Sequence, residues 1–120
     1  MNTLPKFGSL RGAKLSEAVT GAAQIYRDNP ARWTKGVYAR NKKGNIALVD
    51  KPDAVAFCAE GLVGYLLGFQ AGLGFKEMGD VCRHRTHNDG IICFNDGAKE
   101  ISEVIKYLDQ LAADLQAAGL

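Results

Sequence analysis

The sequence predicts an α+β fold, mostly α, with two or three main helices around a central apolar helix. A small β-hairpin or three-stranded sheet completes this fold. Three observations predict it: helical spacing of apolar residues near both ends of the chain, two short β-prone runs around a glycine-bearing turn, and a long apolar run in the middle. The 120 residues suit one domain, which we divide into a flexible leader, 1–13, and a globular domain, 14–120.

The first element is a helix over 14–28. Its apolar residues recur at steps of three and four, and Asn29-Pro30 closes it because the residue before proline avoids the α conformation. Val37–Arg40 and Ile46–Val49 then flank the polar turn 41–45, which predicts a hairpin. Ile91–Phe94 is the candidate for a third strand.

The central helix is predicted to begin at Pro52, after Asp50 and before a nearly uninterrupted apolar run to Phe69. One stripe of this helix carries mostly small residues, Gly61 and Gly68 among them, which indicates that another backbone packs against it. That backbone could belong to the same chain or to a second copy, so a homo-oligomer stays open. Asn95-Asp96-Gly97 is predicted to cap the last helix, which carries an apolar stripe from Ile101 to Leu115.

Charge is unevenly distributed along the chain although the net charge is only +2. Residues 1–43 carry nine basic and two acidic side chains, whereas 44–120 carry six basic and eleven acidic ones. A basic first third can attract nucleic acid or an acidic partner, and it can equally neutralise the acidic remainder within the fold.

Compartment and membrane association follow from cysteine use and apolar run length. Three widely spaced cysteines and a short polar N-terminus without signal-peptide features predict a cytoplasmic protein with reduced thiols. The apolar stretch 54–75 contains Glu60, and its uncharged part is 15 residues long. That is below the roughly 17–25 needed to span a bilayer, so we expect no membrane association.

Two constellations could carry cysteine chemistry, and the residue pattern favours neither. Cys58 with His84 or His87 and Asp96 has the residue types of a cysteine-dependent hydrolase. However, Cys58 is predicted to lie two turns inside an apolar helix, where a thiol is inert. Zinc would need ligands whose spacing is poor for a structural site: Cys82, His84, His87 and Cys93. The sequence therefore predicts no cofactor and no metal.

Basic and aromatic side chains are interleaved in residues 27–43, which we name the basic–aromatic patch. Such a pattern suits phosphate contacts combined with base stacking. The alternative is that the aromatic rings anchor the hairpin while the lysines face solvent. The candidate binding residues are Arg32, Trp33, Lys35, Tyr38, Arg40, Lys42 and Lys43.

Three short motifs resemble a small bacterial and bacteriophage family of unknown function. They are Trp33-x-x-Gly36-x-x-Ala39-Arg40, Ala54-Val55-x-x-Cys58-Ala59-x-Gly61 and Phe94-Asn95-Asp96. The resemblance covers about 33–108 and implies a compact soluble domain related to bacteriophage, with no activity to carry over.

The sequence therefore predicts a non-catalytic binding or regulatory protein that acts through protein–protein contacts, with a host protein or its own copy as partner. A nucleic-acid-binding module that uses the basic–aromatic patch is the first alternative. A small cysteine-dependent hydrolase is the second.

Overall fold

Helices dominate the computed structural model, which describes residues 3–69 and 90–120, side chains of 90–93 excepted. The helices, in chain order, are α1 (Leu15–Asp28), a short 3₁₀ helix (Pro30–Arg32), α2 (Ala59–Leu67), α3 (Gly90–Gly97) and α4 (Ile101–Ala117). The strands β1 (Ala39–Asn41) and β2 (Ala54–Phe57) form an antiparallel pair. The predicted class, α+β and mostly α, is confirmed.

The two amphipathic helices at the ends of the chain form the main packing layer. α1 packs most extensively against α4 and then against α2. Their shared core contains Val19 and Tyr26 from α1 and Leu108 and Leu111 from α4, all with 1% or less of their surface exposed. The predicted helix over 14–28 is confirmed, as expected for a strongly periodic segment.

The last helix begins later than predicted. Asn95-Asp96-Gly97 ends α3, whereas α4 begins at Ile101 with Glu100 as its N-cap. The Glu103 carboxylate accepts hydrogen bonds from the backbone N–H groups of Lys99 and Glu100, which completes a capping box. A local acid thus satisfies the two amides directly before α4, and Asn95 is used elsewhere.

The predicted hairpin forms only in part, and β1 also pairs with a strand that was not predicted. On the hairpin side, Arg40 and Ile46 form an isolated antiparallel bridge, and the Ala47 amide donates to the Ala39 carbonyl at 3.0 Å. The ladder of the sheet is instead the antiparallel pair of β1 with β2, in which Ala39 lies opposite Phe57. Phe57 is fully buried, and this burial favours the non-local pairing.

The central helix also begins later than predicted. Ala54–Phe57, expected within the helix, forms β2, and α2 begins only at Ala59 with Cys58 as its N-cap. Cys58 is therefore at a helix terminus and not two turns inside a helix. In the ranges 3–69 and 90–120, no helix is long and apolar enough to cross a membrane.

The predicted third strand at Ile91–Phe94 is wrong, because these residues lie in α3. A short apolar run fits a buried strand and a buried helix equally well, so local pattern cannot distinguish them.

The segment 3–13, part of the predicted flexible leader, packs against α2. The Gly8 and Leu10 amides donate to the carbonyl oxygens of Tyr65 and Leu66 at 2.8 Å each. The Tyr65 hydroxyl donates in turn to the carbonyl of Pro5 at 2.6 Å, and the Phe7 ring packs edge-on against Tyr65. These contacts cover the C-terminal half of α2.

Two glycines of the predicted small-residue stripe have different roles. Gly61 faces the backbone of Tyr38 so closely that a Cβ atom would overlap its carbonyl oxygen. At Gly61, the backbone that packs against the stripe is therefore that of the segment entering β1. Gly68 has φ = 78° and ends α2 as its C-cap.

We expect Gly61→Ala to lower the free energy of unfolding by about 1–3 kcal/mol, because the added methyl group must displace the Tyr38 backbone. The matched control is Gly97→Ala, since a Cβ at Gly97 meets nothing within 4 Å. Urea unfolding followed by circular dichroism measures both. Equal stabilities of the two variants would contradict the close approach.

Candidate functional site

A buried amide side chain, Asn95, connects three segments that are far apart in sequence. Its Oδ1 accepts hydrogen bonds from Trp33 Nε1 at 2.8 Å and from the Ala59 backbone N–H at 3.0 Å. Its Nδ2 donates to the Thr34 carbonyl at 3.1 Å and to Asp96 Oδ1 at 3.2 Å. Asn95 has no exposed surface, so these four bonds replace the hydration it loses on burial.

The bond to Ala59 makes Asn95 a cap for α2, supplied from the end of α3. A helix leaves its first amides without partners inside the helix, and here two side chains accept from them. Asn95 accepts from Ala59, and Cys58 Sγ accepts from the Gly61 amide at 3.3 Å. The Cys58 amide donates to the Tyr38 carbonyl at 3.2 Å, which attaches this helix start to the chain entering β1.

The loop before β1 is fixed from both ends. Gly36 has φ = 82°, and its backbone N–H donates a hydrogen bond to Asp96 Oδ1 at 3.0 Å. Arg40 reaches back with three hydrogen bonds, all to neutral acceptors: the Thr34 hydroxyl and the carbonyl oxygens of Lys35 and Gly44. The loop 34–38 is thus held against α2 and α3 by bonds on both sides.

A pocket of about 360 Å³ opens where this loop, the start of α2 and the end of α3 meet. We name it the Cys58 pocket. Ile46 and Leu48 lie on its rim with 70% and 58% of their surfaces exposed, which is high for aliphatic side chains. Its lining residues are Gly36, Val37, Tyr38, Ile46, Ala47, Leu48, Cys58 and Asp96.

Burial raises the pKa of two neighbouring groups at the start of α2, the thiol of Cys58 in the pocket lining and the carboxyl of Glu60. Burial raises the pKa of the Cys58 thiol to about 11, although the hydrogen bond from Gly61 opposes the shift. Burial also raises the pKa of Glu60 to about 7, against a hydrogen bond with Tyr38 that lowers it. The thiol is therefore protonated at neutral pH, and a protonated thiol is a poor nucleophile.

The basic–aromatic patch is largely engaged inside the protein. The Arg32 guanidinium donates to the Val55 carbonyl at 2.9 Å, and Trp33 is half-buried with its Nε1 on Asn95. The Lys35 ammonium donates to the Ala98 carbonyl and lies 5.5 Å from the centre of the Trp33 ring. Tyr38 lines the Cys58 pocket. Lys42 and Lys43 are exposed at the turn.

Of the predicted catalytic set, Cys58 and Asp96 both line the pocket. His84, His87 and Cys82 lie outside the described residues, and so does the side chain of Cys93. The hydrolase set and the zinc set therefore stay predictions. Within the described part of the chain, no group of three or more His, Cys, Asp or Glu residues could hold a metal ion.

The apolar side of the pocket was not predicted. Ile46–Val49 was predicted as the second strand of a hairpin, and the alternation of Ile46 and Leu48 places both on one face of an extended segment. Glu60 carried a usable signal, since it is the one charged residue in the stretch 54–75. An acid in so apolar a run is expected to be buried with a partner, and Tyr38 is that partner.

No family model, curated protein or solved structure matches this chain. The resemblance to a bacterial and bacteriophage family stays a prediction. Its motif residues nevertheless meet in space: Trp33 and Ala59 bind Asn95, Gly36 binds Asp96, and Gly61 packs on Tyr38. The features of this chain that bear on function are therefore the Cys58 pocket and the hydrogen-bond network beside it.

We expect Asn95→Ala to lower the free energy of unfolding by about 3 kcal/mol, because it leaves Trp33 Nε1 and the Ala59 amide without their acceptor. The control is Asn45→Ala, at an exposed position. Chemical denaturation measures the difference. A loss of similar size in both variants would argue against the capping role of Asn95.

Glu60 makes stability depend on pH in a defined direction. Its pKa is about 7 in the folded protein against an ordinary value of 4.5. Between these values the folded protein holds a proton that the unfolded chain has lost, so the contribution of Glu60 to unfolding free energy falls as pH rises from 4.5 to 7. Above pH 7 this contribution is constant.

Glu60→Gln, which keeps the shape and removes the ionisation, should therefore gain stability relative to wild type as pH rises from 5 to 7.5. Urea titrations at several pH values measure this difference, with Glu17→Gln on the exposed side of α1 as control. A wild-type–variant difference that does not change with pH would show that Glu60 ionises as readily in the folded protein as in the unfolded chain.

Proposed function

We propose that the protein is a non-catalytic binding protein, and that it recognises another protein by accepting one of its apolar side chains in the Cys58 pocket. The observation that carries this proposal is the pocket with two exposed aliphatic side chains, Ile46 and Leu48, on its rim. Regulatory action on a host protein, one of the functions that the sequence predicts, stays a prediction.

The size of the pocket suits one side chain. A volume of about 360 Å³ is near the lower end of the range of ligand pockets, roughly 300–1,000 Å³. Protein interfaces commonly concentrate their binding energy in a single anchor residue that fills such a pocket. Val37, Ala47 and Leu48 supply an apolar lining for an aliphatic or aromatic anchor.

The rim favours a protein over a small molecule. A ligand confined to the pocket would leave much of the surface of Ile46, now 70% exposed, in water. A chain segment that crosses the pocket covers both the interior and the rim. Burying apolar surface is worth about 25 cal/mol per Å², so covering Ile46 and Leu48 adds to the affinity for a larger partner.

Catalysis has less support. Cys58 Sγ accepts the Gly61 amide as part of the α2 cap, and burial holds its pKa at about 11. Nucleic-acid binding has less support too, because the Trp33 ring is half-buried with Lys35 beside it, and base stacking needs a free aromatic face.

The test is selection of displayed random peptides on the immobilised protein. Enriched peptides should share an aliphatic or aromatic residue at one position. They should bind Leu48→Asn at least about tenfold more weakly, a loss of about 1.4 kcal/mol. Thr20→Asn, at an exposed position of α1 that does not line the pocket, should bind like wild type.

Two outcomes would contradict the proposal. The first is a selection that enriches no peptide. The second is enrichment of peptides that bind wild type and Leu48→Asn equally. Salt-sensitive binding of single-stranded oligonucleotides that disappears in Lys42→Ala/Lys43→Ala, without peptide binding, would instead support the nucleic-acid alternative.

A further inference from the structure

We infer that the partner segment is acidic outside its apolar anchor, and that its carboxylates pair with Lys42 and Lys43. This inference rests on the proposed function and specifies the chemistry of the partner. The supporting observation is a positive, structurally fixed turn directly before the rim of the Cys58 pocket.

The turn that carries the two lysines is held by internal hydrogen bonds. Asn41 Oδ1 accepts from the backbone amides of Lys43 and Asn45 at 3.0 Å each, and Arg40 Nη1 donates to the Gly44 carbonyl at 3.1 Å. The two lysines are both exposed, and the rim residue Ile46 follows directly after the turn. A partner on the rim would therefore lie next to the turn that carries both ammonium groups.

Positive charge is concentrated around this turn. Residues 35–51 contain five basic side chains, Lys35, Arg40, Lys42, Lys43 and Lys51, against one acid, Asp50. Lys35 interacts electrostatically with Glu103, whereas the hydrogen bonds of Arg40 go to a hydroxyl and to backbone carbonyls, which leave its charge in place. Such a field attracts an anionic partner and speeds its association.

The interior of the pocket disfavours an anionic side chain. Asp96 is part of its wall, and its Oδ1 already accepts from Gly36 and from Asn95. A partner carboxylate inside the pocket would face this carboxylate at short range, whereas an uncharged apolar side chain would not. The anchor must therefore be apolar, and the acidic residues must lie on the turn side of it.

Among anionic macromolecules, these features favour a peptide over nucleic acid or a lipid surface. The rim is aliphatic, and the one tryptophan of the sequence, Trp33, is engaged with Asn95 and Lys35. A flat bilayer surface would contact Ile46 and the lysines but would not fill a concave pocket of about 360 Å³.

The experiment uses synthetic peptides with the sequences enriched by display, and fluorescence anisotropy to measure their affinity for the full chain. Enriched sequences should contain Asp or Glu beside the apolar anchor. Lys42→Glu/Lys43→Glu should weaken binding by about tenfold or more, and added salt should weaken wild-type binding. The control is Lys14→Glu/Lys106→Glu, at exposed positions that do not line the pocket.

Peptides in which the acids are replaced by their amides should bind wild type and Lys42→Gln/Lys43→Gln equally. Without carboxylates on the peptide, neither complex can form a lysine–carboxylate pair. Circular dichroism and thermal unfolding verify that each variant folds. Vesicles of phosphatidylserine with phosphatidylcholine and a single-stranded oligonucleotide serve as competing anionic probes.

The outcomes separate the two proposals. If peptides depend on Leu48 but carry no acids, or if reversing the charge of Lys42 and Lys43 changes nothing, the acidic-partner inference is wrong and the proposed function stands. If binding is independent of Leu48, both fail. Saturable binding of vesicles or oligonucleotide that is stronger than peptide binding also overturns the inference.

Discussion

The fold around the Cys58 pocket depends on one interaction, the capping of α2 by the buried amide of Asn95. α2 is short, apolar and buried from Ala59 to Leu67, so its first amides have little access to water. Leaving such an amide unpaired costs about 1–3 kcal/mol. A side chain 36 residues away, that of Asn95, supplies the acceptor, and this requirement places the end of α3 against the start of α2.

The same amide determines the shape of the site. Because Asn95 also binds Trp33 Nε1 and the Thr34 carbonyl, the loop before β1 is attached to the α2–α3 junction. Asp96, the next residue, then fixes Gly36. Three sides of the pocket are thus set by neighbouring residues of one network, and Cys58 is a part of that network as a cap. A thiol that accepts a hydrogen bond in a buried cap contributes to structure, and this role accounts for the presence of a cysteine in the pocket lining.

The elements that could be predicted from the sequence are those whose partner surface is generic. α1 and α4 each present a continuous apolar stripe, which can be buried against any apolar layer. The spacing of apolar residues along the sequence is therefore sufficient to predict these two helices. The elements in the middle depend on specific distant partners. Ala54–Phe57 has helix-compatible neighbours and an acidic, proline-containing start, yet it forms β2 because β1 offers hydrogen bonds and Phe57 is buried. Local propensity does not contain that information.

The site follows the same division. Residue type identified four candidates in the sequence: Cys58, Asp96, Trp33 and Arg40. Side chains of these types can bind ligands or take part in catalysis. What decides their role is which atoms they meet: Arg40 meets carbonyls, Trp33 meets an amide oxygen, and Cys58 meets a helix amide. These three polar groups are used here to hold the fold. The proposed binding surface consists instead of Ile46 and Leu48, which belong to no motif, and of Lys42 and Lys43, the exposed end of the basic–aromatic patch. An aliphatic pair beside a basic turn is common in sequences, and it becomes a recognisable binding surface only where a pocket lies next to it.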